Sequence, residues 1–179
     1  MTEFRKISVI GLGLIASSIC LTIRKKNPGI QIVGYDKDRE VRKRAKKIGL
    51  CEIKSKIESA ASGSELIILC VPVGQMQAVV QRLKKYIEPG TIITDVGSVK
   101  LSVIEELEFT ISDAKGKFVP SHPIAGTERS GPDAGYAGLF EGRWCILTPT
   151  KKTNKRALRS VETFWKFLGM QTKIMTPEH

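Results

Sequence analysis

Two stretches of this sequence combine residue types that could do chemistry. The first, residues 121–131, reads Ser-His-Pro-Ile-Ala-Gly-Thr-Glu-Arg-Ser-Gly and encloses the imidazole of His122 between proline and glycine residues. The second is Gly11-x-Gly13-x-x-Ala16, close to the N-terminus. A glycine turn of this kind can hold a dinucleotide, and an imidazole can accept a proton near neutral pH. The pair predicts an oxidoreductase, in which one part holds the hydride acceptor and the other handles the proton.

The glycine motif lies between a predicted strand, Lys6–Ile10, and a predicted helix, 15–23. Gly11 allows a tight turn, Gly13 lets the backbone approach a pyrophosphate, and the helix N-terminus stabilises the anion. The predicted cofactor contacts of this turn are Gly11, Gly13, Leu14 and Ile15. A tight strand–helix turn that binds no ligand is the alternative.

An acidic residue, Asp36, follows the second predicted strand, Gln31–Tyr35. Its carboxylate can accept hydrogen bonds from both hydroxyls of the adenosine ribose, and it would repel a 2′-phosphate. We therefore predict NAD rather than NADP as the cofactor. Lys37 and Arg39 stand beside it and could weaken this preference.

Strands and helices alternate along the chain. Beyond the glycine turn, strands are predicted at 31–35, 66–71, 91–95, 118–121, 144–147 and 171–175, and helices at 38–48, 75–86, 98–107 and 154–168. This alternation predicts an α/β fold with a Rossmann-type, doubly wound, mostly parallel sheet.

In such folds, ligands bind beyond the carboxyl ends of the strands. Three of the predicted strands run into Val71-Pro72, Asp95-Val96-Gly97-Ser98 and Ser121-His122. We expect Val71, Pro72 and Ser98 to contact the cofactor. Ser98 and His122 should lie nearest to the nicotinamide.

The composition fits a globular protein of 179 residues, with 41% hydrophobic and 26% charged residues. No apolar run is long enough to span a bilayer, and no signal-peptide pattern opens the chain, which predicts a cytoplasmic protein. Four cysteines without a CxxC pair and two histidines give no metal-ligand set, so buried reduced thiols are expected.

The net charge of +11 comes largely from residues 37–56 and 150–173. Without aromatic interleaving, these predict solvated helix faces rather than nucleic-acid binding.

A larger set of motifs extends over essentially the whole chain. They are Gly11-Leu-Gly-Leu-Ile-Ala-Ser-Ser18, Val71-Pro72, Asp95-Val-Gly-Ser-Val-Lys100, His122-Pro-Ile-Ala-Gly-Thr-Glu128, Ser130-Gly131, Glu141-Gly142 and Leu147-Thr148-Pro149. This set resembles the prephenate/arogenate dehydrogenase family of tyrosine biosynthesis. The histidine block together with the Asp95 block is highly specific for that family.

The resemblance implies NAD-dependent oxidative decarboxylation of prephenate to 4-hydroxyphenylpyruvate. A hydride would pass from the hydroxyl-bearing carbon to C4 of the nicotinamide, and loss of CO2 would make the ring aromatic. His122 would accept the hydroxyl proton, Ser98 would orient nicotinamide and substrate, and Thr127 would be a polar contact to the substrate. Lys100 is a weaker candidate, as a capping or phosphate-facing residue.

Two departures from the family pattern stand out. The family commonly has Gly-Gly-Ser where this chain has Ala16-Ser17-Ser18, which raises a steric question at Ser17 beside the pyrophosphate. Family members also continue into a helical second domain, which completes the substrate site and forms a homodimer. We therefore predict a nucleotide-binding domain at residues 1–175 and the start of the missing helical domain at 176–179, with no catalytic role for His179. Arogenate dehydrogenase and a non-catalytic NAD-binding module are the alternatives.

Overall fold

Six parallel strands form the central sheet of the computed structural model, which describes residues 1–98 and 100–178. The strands are β1 (Lys6–Ile10), β2 (Gln31–Tyr35), β3 (Glu52–Ile53), β4 (Leu66–Leu69), β5 (Ile92–Asp95) and β6 (Lys117–Val119). Their spatial order is β3-β2-β1-β4-β5-β6. The order reverses between β1 and β4, so a crevice opens at the carboxyl ends of these two strands.

Helices cover both faces of this sheet. They are α1 (Leu14–Lys26), α2 (Arg39–Lys47), α3 (Ile57–Ala61), α4 (Val73–Leu83), α5 (Leu101–Asp113) and α6 (Lys155–Phe167). Consecutive residues of β4 enter two different apolar clusters, since Ile68 packs with the α1 and α6 side and Leu69 with the α4 and α5 side. Burial on both faces explains why β4 is a continuous apolar run. The predicted doubly wound architecture is confirmed.

The last three strands form a separate sheet, which the sequence analysis did not anticipate. They are β7 (Ser121–Pro123), β8 (Trp144–Leu147) and β9 (Gln171–Ile174), with β7 antiparallel and β9 parallel to β8. The strand predicted at 118–121 is thus two strands separated by Pro120. Proline has no N–H to donate, and the N–H of Ser121 is donated to the side chain of Asp95.

Several element boundaries also differ from the prediction. The helix predicted at 98–107 begins at Leu101 and ends at Asp113, so Ser98 lies in the loop that follows β5. The helix α1 extends to Lys26, and β4 ends at Leu69. The elements β3 and α3 were not predicted, because two and five residues are too short to show a period. The cysteines are free, with Cys20 and Cys145 buried and Cys51 and Cys70 half-buried.

Within residues 1–98 and 100–178, no helix is both long enough and apolar enough to cross a membrane. His179, for which no catalytic role is predicted, lies outside the described residues.

Candidate active site

The turn after β1 depends on Gly11, which has a φ of +96°. A Cβ at this position would lie 2.8 Å from the carbonyl oxygen of Cys70 and 3.0 Å from the nitrogen of Val71. Any side chain would therefore be strained by the backbone and would collide with the chain leaving β4. The Gly11 N–H donates to the carbonyl of Tyr35 at 2.8 Å, which fixes the turn against the end of β2.

The second glycine of the motif, Gly13, lies in a different environment. It is the N-cap of α1 with a φ of −96°, and a Cβ built on it meets nothing within 4 Å. Its position faces open space, where a larger ligand could approach the backbone. Among the described residues no side chain caps α1, so the N–H groups of its first turn are available to an anion. Leu14 and Ile15, both half-buried, begin this turn.

The predicted ribose acceptor, Asp36, is held in place by two backbone groups. Its Oδ2 accepts the N–H of Leu12 and its Oδ1 accepts the N–H of Asp38, both at 2.9 Å. Each carboxylate oxygen can accept a further hydrogen bond. The guanidinium of Arg42 instead donates to the backbone carbonyl of Asp36 at 2.8 Å and lies 5.7 Å from the centre of the Tyr35 ring. The carboxylate is thus oriented beside the glycine turn with acceptor capacity remaining.

Val71 and Pro72 lie next to this turn, as predicted from the strand ends. Val71 is half-buried and follows the Cys70 carbonyl that Gly11 approaches. Pro72 is exposed and caps α4. Both residues border the crevice between β1 and β4.

Ser98 and His122 line one cavity of about 340 Å³. Its other lining residues are Gly97, Ser121, Ile146, Thr148, Met175 and Pro177. Ser98 is exposed and His122 is half-buried. The Nδ1 atom of His122 is buried and has no hydrogen-bond partner within the part of the chain that the structure describes. A buried polar atom normally has a partner, so this nitrogen is an exception that points to a function for the ring.

Thr127 is placed differently from those two residues. It is exposed in the loop after β7, and its Oγ1 accepts the N–H of Arg129 at 3.1 Å in a local turn. The described residues that line the cavity with Ser98 and His122 do not include it.

A buried polar cluster behind the cavity was missed by the sequence analysis. Asp95 is fully buried at the end of β5, and burial raises the pKa of its carboxyl from 3.8 to about 7. Ser121 Oγ donates to the backbone carbonyl of Asp95 at 2.7 Å and accepts the indole N–H of Trp165 at 3.2 Å. The available signal was an acidic residue at the end of a strand that is otherwise uncharged.

The glycine-rich loop that follows the histidine segment is anchored on α1. The N–H of Tyr136 donates to Ser18 Oγ at 3.1 Å, and a Cβ at Gly135 would overlap Ser17 Oγ. Ser17 is buried, and its hydroxyl donates to the carbonyl of Gly13 at 2.8 Å. Ser17, which stands where the family commonly has glycine, therefore packs its side chain against the helix and this loop. This packing accommodates the additional side chain.

Arg44 of α2 and Asp133 fix the same loop from its other side. Arg44 Nε lies 2.9 Å and 2.8 Å from the two carboxylate oxygens, and Nη2 lies 2.5 Å from Oδ1. The hydrogen bond and charge of Arg44 lower the pKa of Asp133.

The strand order and the glycine turn after β1 define a Rossmann-type nucleotide-binding domain. A family model described as "Prephenate dehydrogenase, nucleotide-binding domain" matches residues 19–174. The chain belongs to this family.

Curated relatives and solved structures agree with this assignment. The chain is 39% identical to a cyclohexadienyl dehydrogenase of Zymomonas mobilis, over 100% of this chain and 61% of that protein. It is 36% identical to a prephenate dehydrogenase of Bacillus subtilis, over 96% of this chain and 47% of that protein. The structure matches a prephenate dehydrogenase from Aquifex aeolicus, solved with hydroxyphenyl propionate and NAD⁺, with a TM-score of 0.89 and 31% identity over 97% of this chain and 60% of that one. The chain thus spans about half to three fifths of the length of these relatives.

Proposed function

We propose that this chain is the cofactor-binding part of an NAD-dependent dehydrogenase that converts prephenate to 4-hydroxyphenylpyruvate with loss of CO2. The observation that carries the proposal is the shared cavity of Ser98 and His122 at the carboxyl edge of the sheet. A hydroxyl and an imidazole at this edge suit the oxidation of an alcohol next to a dinucleotide. The substrate class is inferred from the relatives that are prephenate dehydrogenases, such as that of Bacillus subtilis.

The glycine turn and Asp36 fit an NAD molecule. The open space at Gly13 and the uncapped start of α1 suit the pyrophosphate, with Leu14 and Ile15 beside it. Asp36 retains acceptor capacity for the ribose hydroxyls, and its charge opposes a 2′-phosphate. Gly11, Val71 and Pro72 shape the adjoining crevice. NAD, when bound, supplies the nicotinamide carbon that accepts the hydride.

Within the cavity, His122 accepts the proton of the substrate hydroxyl as a carbonyl develops. The buried Nδ1, unpaired within residues 1–98 and 100–178, supports a role for this ring in binding or proton transfer. Ser98 donates a hydrogen bond that orients the reacting groups. Thr127 contacts the substrate only if its loop moves toward the cavity, since its hydroxyl now stabilises a local turn.

Arogenate is the second candidate substrate. A Synechocystis arogenate dehydrogenase matches this structure with a TM-score of 0.86 and 29% identity over 96% of this chain. The two substrates share the ring chemistry and differ in the side chain, where an amino group replaces a ketone. The residues described here act on the ring, and they serve either substrate.

The relatives contain a large region in addition to the part that this chain matches. We propose that residues 1–175 form the nucleotide-binding domain and that 176–179 lead toward a helical domain that completes the substrate site. In that arrangement the homodimer forms through the helical domain. Cofactor binding is then testable on this chain alone, whereas turnover requires the longer protein.

Calorimetric titration of this chain with NAD and NADP, at fixed low salt, tests the cofactor site. NAD should bind more tightly, and Asp36→Ala should remove the preference. Gly13→Ala should weaken NAD binding about tenfold or more, because hydrogen bonds to a charged group are worth about 1.5–3 kcal/mol.

The control for Gly13→Ala is Gly138→Ala. Gly138 is exposed, whereas Gly13 is half-buried, and a Cβ at Gly138 makes only ordinary contacts with the Tyr136 ring at 3.8 and 3.9 Å. Both variants should fold normally, and only Gly13→Ala should lose affinity. Absence of NAD binding to the folded chain would contradict the proposed cofactor site.

The catalytic proposal needs a separate assay. A longer form with the helical domain should oxidise prephenate or arogenate, and His122→Gln should lower kcat by about 10²–10⁴-fold. A form that binds NAD but oxidises neither substrate would favour the non-catalytic NAD-binding module.

A further inference from the structure

Asp95 joins the two segments that carry Ser98 and His122. Its Oδ2 accepts the N–H of Gly97 and its Oδ1 accepts the N–H of Ser121, both at 3.1 Å. Each donor residue directly precedes one of the two candidate catalytic residues. The side chain is fully buried and does not line their cavity.

We propose that Asp95 is a positioning residue whose ionised carboxylate sets the spacing between Ser98 and His122 across the cavity. This inference deepens the proposed function and rests on it, because the spacing matters only if the two side chains act together. Asp95 itself touches neither substrate nor cofactor.

The hydrogen-bonding pattern favours a carboxylate at this position. Both of its partners are backbone N–H donors, so the side chain must accept twice, once through each oxygen. Protonation turns one of these oxygens into a hydroxyl, which is a weaker acceptor than a carboxylate oxygen. An asparagine replaces one of the two acceptor oxygens by an NH2 group, which cannot accept a hydrogen bond. The charged form of Asp95 therefore accepts both N–H groups more strongly than the protonated acid or an asparagine would.

The surrounding residues restrict the position of the Ser121 segment. The Ser121 hydroxyl donates to the Asp95 carbonyl, and the buried Trp165 donates to the same hydroxyl. On the other segment, a Cβ at Gly97 would lie 2.8 Å from Val73 Cγ2, so the loop packs closely on α4. The two carboxylate hydrogen bonds join the segments in addition to these hydroxyl contacts, and they are the contacts that depend on the charge of Asp95.

Within residues 1–98 and 100–178, two thiols interact electrostatically with Asp95, and the imidazole of His122 is one residue beyond its partner Ser121. Cys70 follows β4 and Cys145 lies on β8, and burial, together with the charge of Asp95, raises the pKa of both thiols. His122 follows Ser121 on β7. None of the ion pairs among the described residues involves Asp95. Burial raises its pKa to about 7, so the link is complete above neutral pH and incomplete below it.

Nuclear magnetic resonance of this chain measures the link directly. The amide protons of Gly97 and Ser121 should titrate together with one midpoint near pH 7, and Asp95→Asn should abolish both transitions. His122→Gln should leave them in place, which separates Asp95 from the neighbouring imidazole. Asp113→Asn is the matched control, because Asp113 is exposed at the end of α5 and pairs with Lys84 at 3.0 Å.

Calorimetry then tests whether the link matters for the site. NAD affinity should fall about tenfold between about pH 8 and pH 6. Protonation of Asp95 weakens one of its two charge-assisted hydrogen bonds, so the segments that carry Ser98 and His122 are no longer held in position. In Asp95→Asn the affinity should be low at both pH values, and in Asp113→Asn it should follow the unmodified chain.

Two results would overturn the proposal. One is that the amide protons of Gly97 and Ser121 in the unmodified chain titrate without a common midpoint. This measurement does not depend on the folding of any variant. The other is an Asp95→Asn variant that keeps the full NAD affinity and its pH dependence. If the chain binds no NAD at any pH, the proposed function fails, and the amide titration alone decides whether Asp95 links the two segments.

Discussion

Replacing Asp95 by asparagine should remove most of the loss of stability that we expect for the chain between about pH 5 and pH 8. Asp95 is fully buried, and its pKa is raised from 3.8 in the unfolded chain to about 7 in the fold. Between these values the folded chain holds a proton that the unfolded chain has released. Stability therefore falls as the pH rises through this range, and it is constant above about pH 7.

The magnitude follows from the two pKa values. Each pH unit between them is worth about 1.4 kcal/mol, so the whole range corresponds to about 4 kcal/mol. About 3 kcal/mol of this falls between pH 5 and pH 8. A typical domain has an unfolding free energy of only about 5–15 kcal/mol, so the effect is large enough to measure.

Urea unfolding, followed by circular dichroism at both pH values, is the appropriate assay. Carboxylates with a lowered pKa, such as Glu52, Glu58 and Asp133, lose their stabilising contribution only below this range. The difference between the unmodified chain and Asp95→Asn should therefore change by about 3 kcal/mol, whereas Asp113→Asn should show no such change. An equal pH dependence in the chain and in Asp95→Asn would refute the reasoning.

Two further substitutions test the glycine positions. Gly11→Ala should lower the unfolding free energy by about 3 kcal/mol, because it combines a φ of +96° with a Cβ 2.8 Å from the Cys70 carbonyl oxygen. Thermal unfolding measures this, and an unchanged Tm would contradict it. Gly135→Ala should cost about 1–3 kcal/mol as its Cβ meets Ser17, and Ser17→Gly should restore part of the loss. No recovery in the double variant would indicate that Ser17 is not the obstacle.

The sequence was sufficient to predict the alternating strands and helices and the motifs whose physical cause is local. Strand β1, the glycine turn and Asp36 follow one another within a short segment, and each has a local physical reason that the residues display. The neighbourhood of Ser98 and His122 was also predictable, because parallel strands place their carboxyl ends at one edge.

The relations between distant residues could not be predicted in the same way. The break at Pro120 separates β6 from β7, yet a proline alone does not show that the chain enters a second sheet. The link from Asp95 to Ser121 joins residues 26 positions apart, and the anchoring of Tyr136 on Ser18 spans 118. Such contacts depend on tertiary packing, for which a single sequence has no periodic signal.

Two of the buried polar clusters among the described residues differ in a way that bears on function. Toward the amino ends of the strands, Ser8 donates to the Ala60 carbonyl, and Thr91 donates to the Ser64 carbonyl at 3.3 Å. Neutral hydroxyls satisfy that cluster, at little cost in desolvation. At the carboxyl ends the chain buries a carboxylate instead, and the fold is less stable by about 4 kcal/mol once Asp95 is ionised. Residues that lower stability without improving the packing are typical of functional sites. The location of this charge, directly behind Ser98 and His122, is therefore an independent physical reason to place the chemistry at this edge of the sheet.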